Sequence, residues 1–115
     1  MKNLKGKVAI VTGSSSGVGA ATALQLAGLG CHVVVNYHSN SAGAERVVEQ
    51  CQALDVQALA VGGDVAKDEV CKALAQAAID KWGRIDVLVN NAGTTKFVDH
   101  RDLDGLDAED FQRIY

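Results

Sequence analysis

The chain is 115 residues long, 48% hydrophobic and 22% charged, with a formal net charge of -3. That length suits one compact domain, and the composition excludes a disordered chain. The slightly acidic total supplies no electrostatic reason to expect nucleic acid or an anionic membrane as a partner.

The first segment, Met1–Lys7, carries three lysines, but the apolar run behind it, Val8–Val11, is too short for a signal-peptide core or a membrane span. A soluble, cytoplasmic protein is therefore expected. Val8–Thr12 is a short, unbroken run rich in β-branched residues and reads as a buried strand. Gly17–Leu29, rich in Ala and Leu, reads as a helix closed by Gly30. His32–Asn36 is a second strand. Ser41–Leu54 is a second helix, with Ser41 as its expected N-cap and Glu45 in its first turn to complement the helix dipole. Val56–Val61 is a third strand, ended by Gly62 and Gly63. Lys67–Trp82 is a third helix, in which Val70, Leu74, Ala78 and Trp82 recur every four residues as one apolar stripe. Gly83 ends it, and Ile85–Val89 is a fourth strand running into Asn90-Asn91-Ala92-Gly93. Residues 94–106 are polar and loop-like. Asp107–Tyr115 reads as the start of a further helix, with Asp107 as N-cap and Asp110 behind it.

Strands alternating with helices of this length imply an α/β domain, a parallel sheet covered by helices on both faces. No repeat, linker or low-complexity segment divides the chain, so one domain is expected. Cys31, Cys51 and Cys71 are odd in number, far apart, and set within or beside apolar segments. They are expected to be small buried hydrophobes rather than metal ligands or disulfide partners.

The most informative segment is Thr12-Gly13-Ser14-Ser15-Ser16-Gly17-Val18-Gly19, at the handover from the first strand to the first helix. A helix N-terminus offers free N–H groups and a positive partial charge, so it holds phosphate. Glycine there lets the backbone turn sharply and lets a pyrophosphate approach without meeting a Cβ. The three serines add hydroxyl donors. The spacing is neither the G-x-G-x-x-G fingerprint nor a P-loop. By itself it is weak evidence, and a structural strand-to-helix turn is the alternative. At the end of the second strand, where a dinucleotide site meets the adenosine ribose, Asn36-Tyr37-His38-Ser39-Asn40 contains no acid to repel a 2′-phosphate and no Arg or Lys to clamp one. His38, Ser39 and Asn40 are candidates for weaker bonds there, or ordinary loop polarity. After the third strand, Asp64-Val65 places a carboxylate in the expected ligand crevice, where it could accept from an adenine amino group or cap the following helix. After the fourth, two amides and two small residues, Asn90-Asn91-Ala92-Gly93, allow close ligand approach and ties between strand ends.

Together these segments resemble the short-chain dehydrogenase/reductase family. Its pattern is T-G-x-x-x-G-x-G on the first turn, D-V after the third strand and N-N-A-G after the fourth. Order and spacing agree, and the resemblance covers essentially the whole chain. It implies a Rossmann-type, doubly wound parallel sheet, here incomplete with strands in the order 3-2-1-4, and NAD(P)-dependent hydride transfer between an alcohol and a ketone. By position, the resemblance puts the pyrophosphate and adenosine ribose on Gly13, Ser14, Ser15, Ser16, Gly17, Val18 and Gly19. It puts adenine against Asp64 and Val65, and the adenosine ribose against Asn90, with Ala92 and Gly93 beside it and Asn91 mainly stabilising the sheet. The stretch Val34–Ser39, with Tyr37 and His38 as expected cofactor contacts, is similar to that of members accepting NADP or both cofactors. NADP(H) is the expected preference, with NAD(H) as the other candidate.

The family's chemistry uses a serine and a Tyr-x-x-x-Lys pair, with an asparagine upstream. Here Tyr37 is followed four residues on by Ser41, and Tyr115 is the last residue. Residues 1–115 are therefore expected to be the N-terminal NAD(P)-binding half of a single Rossmann-type domain, with no catalytic residue and no metal site of their own. Alone, such a piece would expose the fourth strand as a flat apolar edge and is expected to associate. The full-length protein is expected to be a homo-oligomer acting on a small carbonyl or alcohol substrate. The alternative is a catalytically inactive nucleotide-binding half-domain. A methyltransferase, which also holds a nucleoside at a glycine-rich turn, would usually carry an acid where this chain has Asn36 and Tyr37.

Overall fold

The computed structural model describes residues 4–91. In chain order the elements are β1 (Val8–Thr12), α1 (Gly17–Gly28), β2 (His32–Tyr37), α2 (Ser41–Gln52), β3 (Ala58–Gly62), α3 (Asp68–Trp82) and β4 (Val87–Asn90). The strands form one parallel sheet in the order β3-β2-β1-β4. The chain thus winds outward from β1 to β3, then crosses back to place β4 on the other side of β1. This is the expected doubly wound, Rossmann-type arrangement. Its crevice lies where the direction of winding reverses, at the carboxyl ends of the strands.

Alternation along each strand sorts the core into two layers. Ile10 is level with Val34 and Leu88, and Val34 with Leu59, so one apolar row crosses the sheet. That row packs under Cys71, Leu74, Ala75 and Ala78 of α3. Ala9, Val11, Val33 and Val35 point the other way, against Ala23 and Ala27 of α1 and Ala44, Val47 and Cys51 of α2. The residues of α1 that meet the sheet are small (Gly19, Ala23, Ala27), so this helix lies close to the strands. Burying each large aliphatic side chain in these layers contributes about 1.5–3 kcal/mol. The three cysteines are free and buried within the same layers, as expected of small hydrophobes. No helix among the described residues is long and apolar enough to cross a membrane.

Several boundaries differ from the sequence expectation, each for a local reason. The N-cap of α2 is Asn40, not Ser41: the Asn40 side chain accepts the Gly43 N–H at 3.0 Å, and Ser41 is already helical. Glu45 then lies beyond the first turn, which holds no acid. That helix stops at Gln52, short of Leu54, where the N–H groups of Leu54 and Asp55 turn back to Cys51 and Gln52 and Asp55 takes a φ of 68°. The first helix ends at Gly28, with Leu29 as cap residue and Gly30 just beyond at a φ of 102°. The third begins at Asp68, with Lys67 as its cap residue. β3 starts at Ala58 rather than Val56, because the Gln57 N–H goes to the His32 imidazole at 3.0 Å instead of to a neighbouring strand. β4 starts at Val87 rather than Ile85; just before it, the Asp86 carboxylate takes the Val8 N–H. β4 pairs with β1, and among the described residues no strand pairs with its other edge. The expected loop at 94–106 and the helix at 107–115 lie outside the described residues.

The amino ends of the strands carry two polar clusters. Asp86, 3% exposed, accepts from Val8 N–H at 2.8 Å and from both Nε and Nη2 of Arg84 at 2.7 and 2.8 Å. Nearby, His32 stacks on Trp82 with ring centroids 5.4 Å apart, and Trp82 Nε1 donates to the Gln57 side chain at 2.9 Å.

Candidate functional site

At the opposite, carboxyl end of the sheet lies an open cleft of about 640 Å³. Four parts build it: the turn after β1, Asn36 near the end of β2 with His38, Ser39 and Asn40 after it, the turn Gly63–Ala66 after β3, and Asn91 after β4.

The first wall is the glycine-rich turn. Gly13 takes a φ of 59°, which redirects the chain from β1 towards α1. Ser14 is fully buried. Its hydroxyl donates to the Val11 carbonyl at 2.7 Å and accepts from the Asn36 N–H at 3.0 Å, so it braces β1 against β2. Ser15 and Ser16 line the cleft. Ser16 is the N-cap residue of α1, and its side chain makes no capping bond to that helix. The first N–H groups of α1 have no acceptor within the helix and carry its positive dipole end. That end opens beside the two serines and suits an anionic group. Gly17 is exposed, and the Val18 side chain is 74% exposed, outside the cleft lining. Gly19 is buried beneath the turn: a Cβ there would collide with the Gly13 carbonyl. Its lack of a side chain serves close packing between helix and turn.

Asn36 closes the back of the cleft. Its Oδ1 accepts the Gly13 N–H at 3.0 Å, and its Nδ2 donates to the carbonyls of Val61 and Gly63 at 3.2 and 3.3 Å. In the sequence, Asn36 stands out only as a position without an acid. The available signal was position: Asn36 follows Val34 by two in a buried strand, and a polar side chain there must find partners. Beyond it, His38 lines the cleft and is exposed, with Ser39 and Asn40 alongside. Tyr37 turns away, its ring over Gly62 and packed on the α1/α2 layer.

On the far wall, Asp64 Oδ1 accepts the Ala66 N–H at 2.9 Å and its carbonyl accepts the Lys67 N–H at 3.0 Å. The carboxylate therefore shapes the turn ahead of α3 while lining the cleft. Val65 lines it too, but at 5% exposure it belongs to the core under α3. On the β4 side, Thr12 Oγ1 donates to Asn90 Oδ1 at 3.0 Å and accepts from the Asn91 N–H at 2.9 Å, tying the two strand ends together. Asn91 Nδ2 is buried and has no hydrogen-bond partner among the described residues. Ala92 and Gly93 lie outside the described residues. Among the described residues, no cluster of His, Cys, Asp or Glu could hold a metal ion.

A doubly wound sheet with an anion-seeking helix terminus at its switch point defines a nucleotide-binding class of α/β protein. The chain belongs to the short chain dehydrogenase family, whose model matches residues 7–115. It is 45% identical over 115 residues to an uncharacterized oxidoreductase of Methylorubrum extorquens, covering 100% of this chain and 45% of that protein. It is 48% identical over 96 residues to a 3-oxoacyl-(acyl-carrier-protein) reductase of Synechocystis, covering 84% of this chain and 39% of that one. The crystal structure of a hydroxysteroid dehydrogenase from Escherichia coli superposes with a TM-score of 0.73 at 43% identity, over 79% of this chain and 38% of that one. The chain therefore spans less than half the length of these relatives.

Proposed function

We propose that this chain is the N-terminal, dinucleotide-binding half of a single Rossmann-type domain in an NAD(P)-dependent oxidoreductase. The full-length protein moves a hydride between the nicotinamide and a small alcohol or ketone. The observation that carries this reading is the placement of Ser15, Ser16 and the α1 N-terminus on one cleft wall and Asp64 on the other. The residues present fit the cofactor. The α1 terminus and its serines meet the pyrophosphate, Asp64 and Val65 border the adenine, and His38 and Asn90 at the strand ends flank the adenosine ribose. The cofactor supplies the hydride chemistry; this chain binds and orients it.

NADP(H) is the favoured form. Asp64 is the one acid among the described cleft-lining residues, and it sits on the β3 side. At the end of β2 the lining side chains are Asn36, His38, Ser39 and Asn40, none of which repels a 2′-phosphate. NAD(H) remains the second candidate. The 115 residues contain no Tyr-x-x-x-Lys pair, so they are inactive by themselves and turnover needs further chain. A homo-oligomer in the cytoplasm completes the reading, with self-association through the outer edge of β4, which pairs with no strand among the described residues, when residues 1–115 are made alone.

The test is NADPH and NADH oxidation with a panel of ketones, run on the full-length protein and on residues 1–115. Turnover by the first and none by the second is expected. Turnover by purified residues 1–115 would overturn the assignment of catalysis to chain beyond them, and no turnover by the full-length protein would favour the inactive half-domain.

A further inference from the structure

Asn36 is 2% exposed and bonds to both walls of the cleft. Towards the glycine turn, Oδ1 accepts the Gly13 N–H, the Asn36 N–H donates to Ser14 Oγ, and the Asn36 carbonyl accepts the Ser14 N–H at 2.9 Å. Towards the β3–α3 turn, Nδ2 donates to Val61 and Gly63. The site demands one acceptor and one two-hydrogen donor on a single short planar group, which asparagine supplies. An aspartate would keep the Gly13 bond but set an oxygen against two carbonyls. A serine is too short to span the two walls.

We infer that Asn36 is a positioning residue for the dinucleotide. It fixes the glycine turn relative to the Gly63–Asp64 turn, so that a ligand reaching from one wall to the other meets both in register. Its own amide is committed to protein partners and makes no contact with the ligand. The inference rests on the cofactor reading above and adds the residue that holds the two halves of the cleft together.

The experiment is a titration of the full-length protein and its Asn36→Asp variant with NADPH and NADH, between about pH 5.5 and pH 8. At the high end the variant carboxylate repels the Val61 and Gly63 carbonyls, and affinity falls at least about tenfold relative to the parent. Burial and two facing acceptors raise that carboxyl's pKa. At the low end it is neutral, donates its O–H to one carbonyl and accepts from Gly13, and the loss shrinks to about threefold or less. His38 and Asp64, the titratable side chains lining the cleft among the described residues, are common to both proteins, so the comparison is made as a ratio at each pH. A residue that merely fills space gives a ratio that does not move with pH, and that result overturns the inference. Asn36→Ser is the second variant. It should lose at least about tenfold with no recovery at low pH, and affinity within about threefold of the parent would also overturn it. If the folded parent binds neither nucleotide, the cofactor reading fails first and takes this inference with it. If the parent binds and the ratio stays flat, only the role of Asn36 fails.

Discussion

The carboxylate of Asp86 accepts the backbone N–H of Val8 at 2.8 Å, across 78 positions of sequence. This bond fastens the start of β1 just ahead of β4, at the end of the sheet away from the cleft. Burial by itself would raise the Asp86 pKa. The Arg84 guanidinium, the Val8 N–H and the charge of Lys7 outweigh it and hold the carboxyl below its ordinary value. Replacing Asp86 by Ala leaves the Val8 N–H unpaired, and chemical denaturation should show a loss of about 2–3 kcal/mol. Because the folded pKa is depressed, this contribution is fully present above the unfolded value of about 3.9 and is lost as pH falls through the folded value. The stability gap between parent and variant should therefore narrow in acid; a gap independent of pH would contradict the assignment.

His32 gives a second pH dependence at the same end of the sheet. Its Nδ1 accepts from Gln57 N–H, which requires an unprotonated nitrogen. Burial lowers its pKa, and the nearby Lys81 charge lowers it further. The folded state thus binds fewer protons than the unfolded chain between the two pKa values. This stabilisation is present above about pH 6.5 and is lost as pH falls through the folded value. Melting temperatures of His32→Leu should show a weaker fall between neutral and mildly acid pH than those of the parent. An identical slope in both proteins would contradict this.

Gly19→Val should abolish dinucleotide binding and also lower the melting temperature of the unliganded protein. The new Cβ strikes the Gly13 carbonyl from below the turn, so the turn itself is displaced. A variant that melted like the parent while losing the nucleotide would point instead to a side chain standing in the ligand's path.

The three cysteines should resist alkylation in the native protein and react on unfolding. Burial pushes the thiols of Cys31 and Cys51 up to about 11; Asp86 adds to the rise at Cys31, partly offset by Lys7. Mass spectrometry after brief iodoacetamide treatment reads this directly. Rapid native labelling of Cys31 or Cys51 would contradict the packing of the α1/α2 layer.

Much of this architecture was legible in the residues. The run Val8–Thr12 and, in the stripe of α3, Leu74 and Ala78 reported burial directly, whereas Val70 and Trp82 at the ends of that stripe are only partly buried and Cys71 and Ala75 complete the core face. Strand ends were less legible. At Asp86 and His32 a side chain takes a backbone N–H that a ladder would otherwise use, and no local pattern announces a bond 78 or 25 positions away. The cleft was readable as a set of segments but not as roles. Ser14 and Ser16 look alike in sequence, yet one hydroxyl is consumed between β1 and β2 while the other is left at the cleft. Asn36 read as a missing acid, whereas it is the amide joining the two walls.

The proposed role of this chain rests on the carboxyl end of its sheet holding a nicotinamide dinucleotide. The most direct measurement is calorimetric titration of the full-length protein with NADPH and with NADH. Saturable binding with one dinucleotide per chain, tighter for NADPH and lost in Gly19→Val, is the predicted result. A cooperatively folded protein that binds neither nucleotide would contradict the claim.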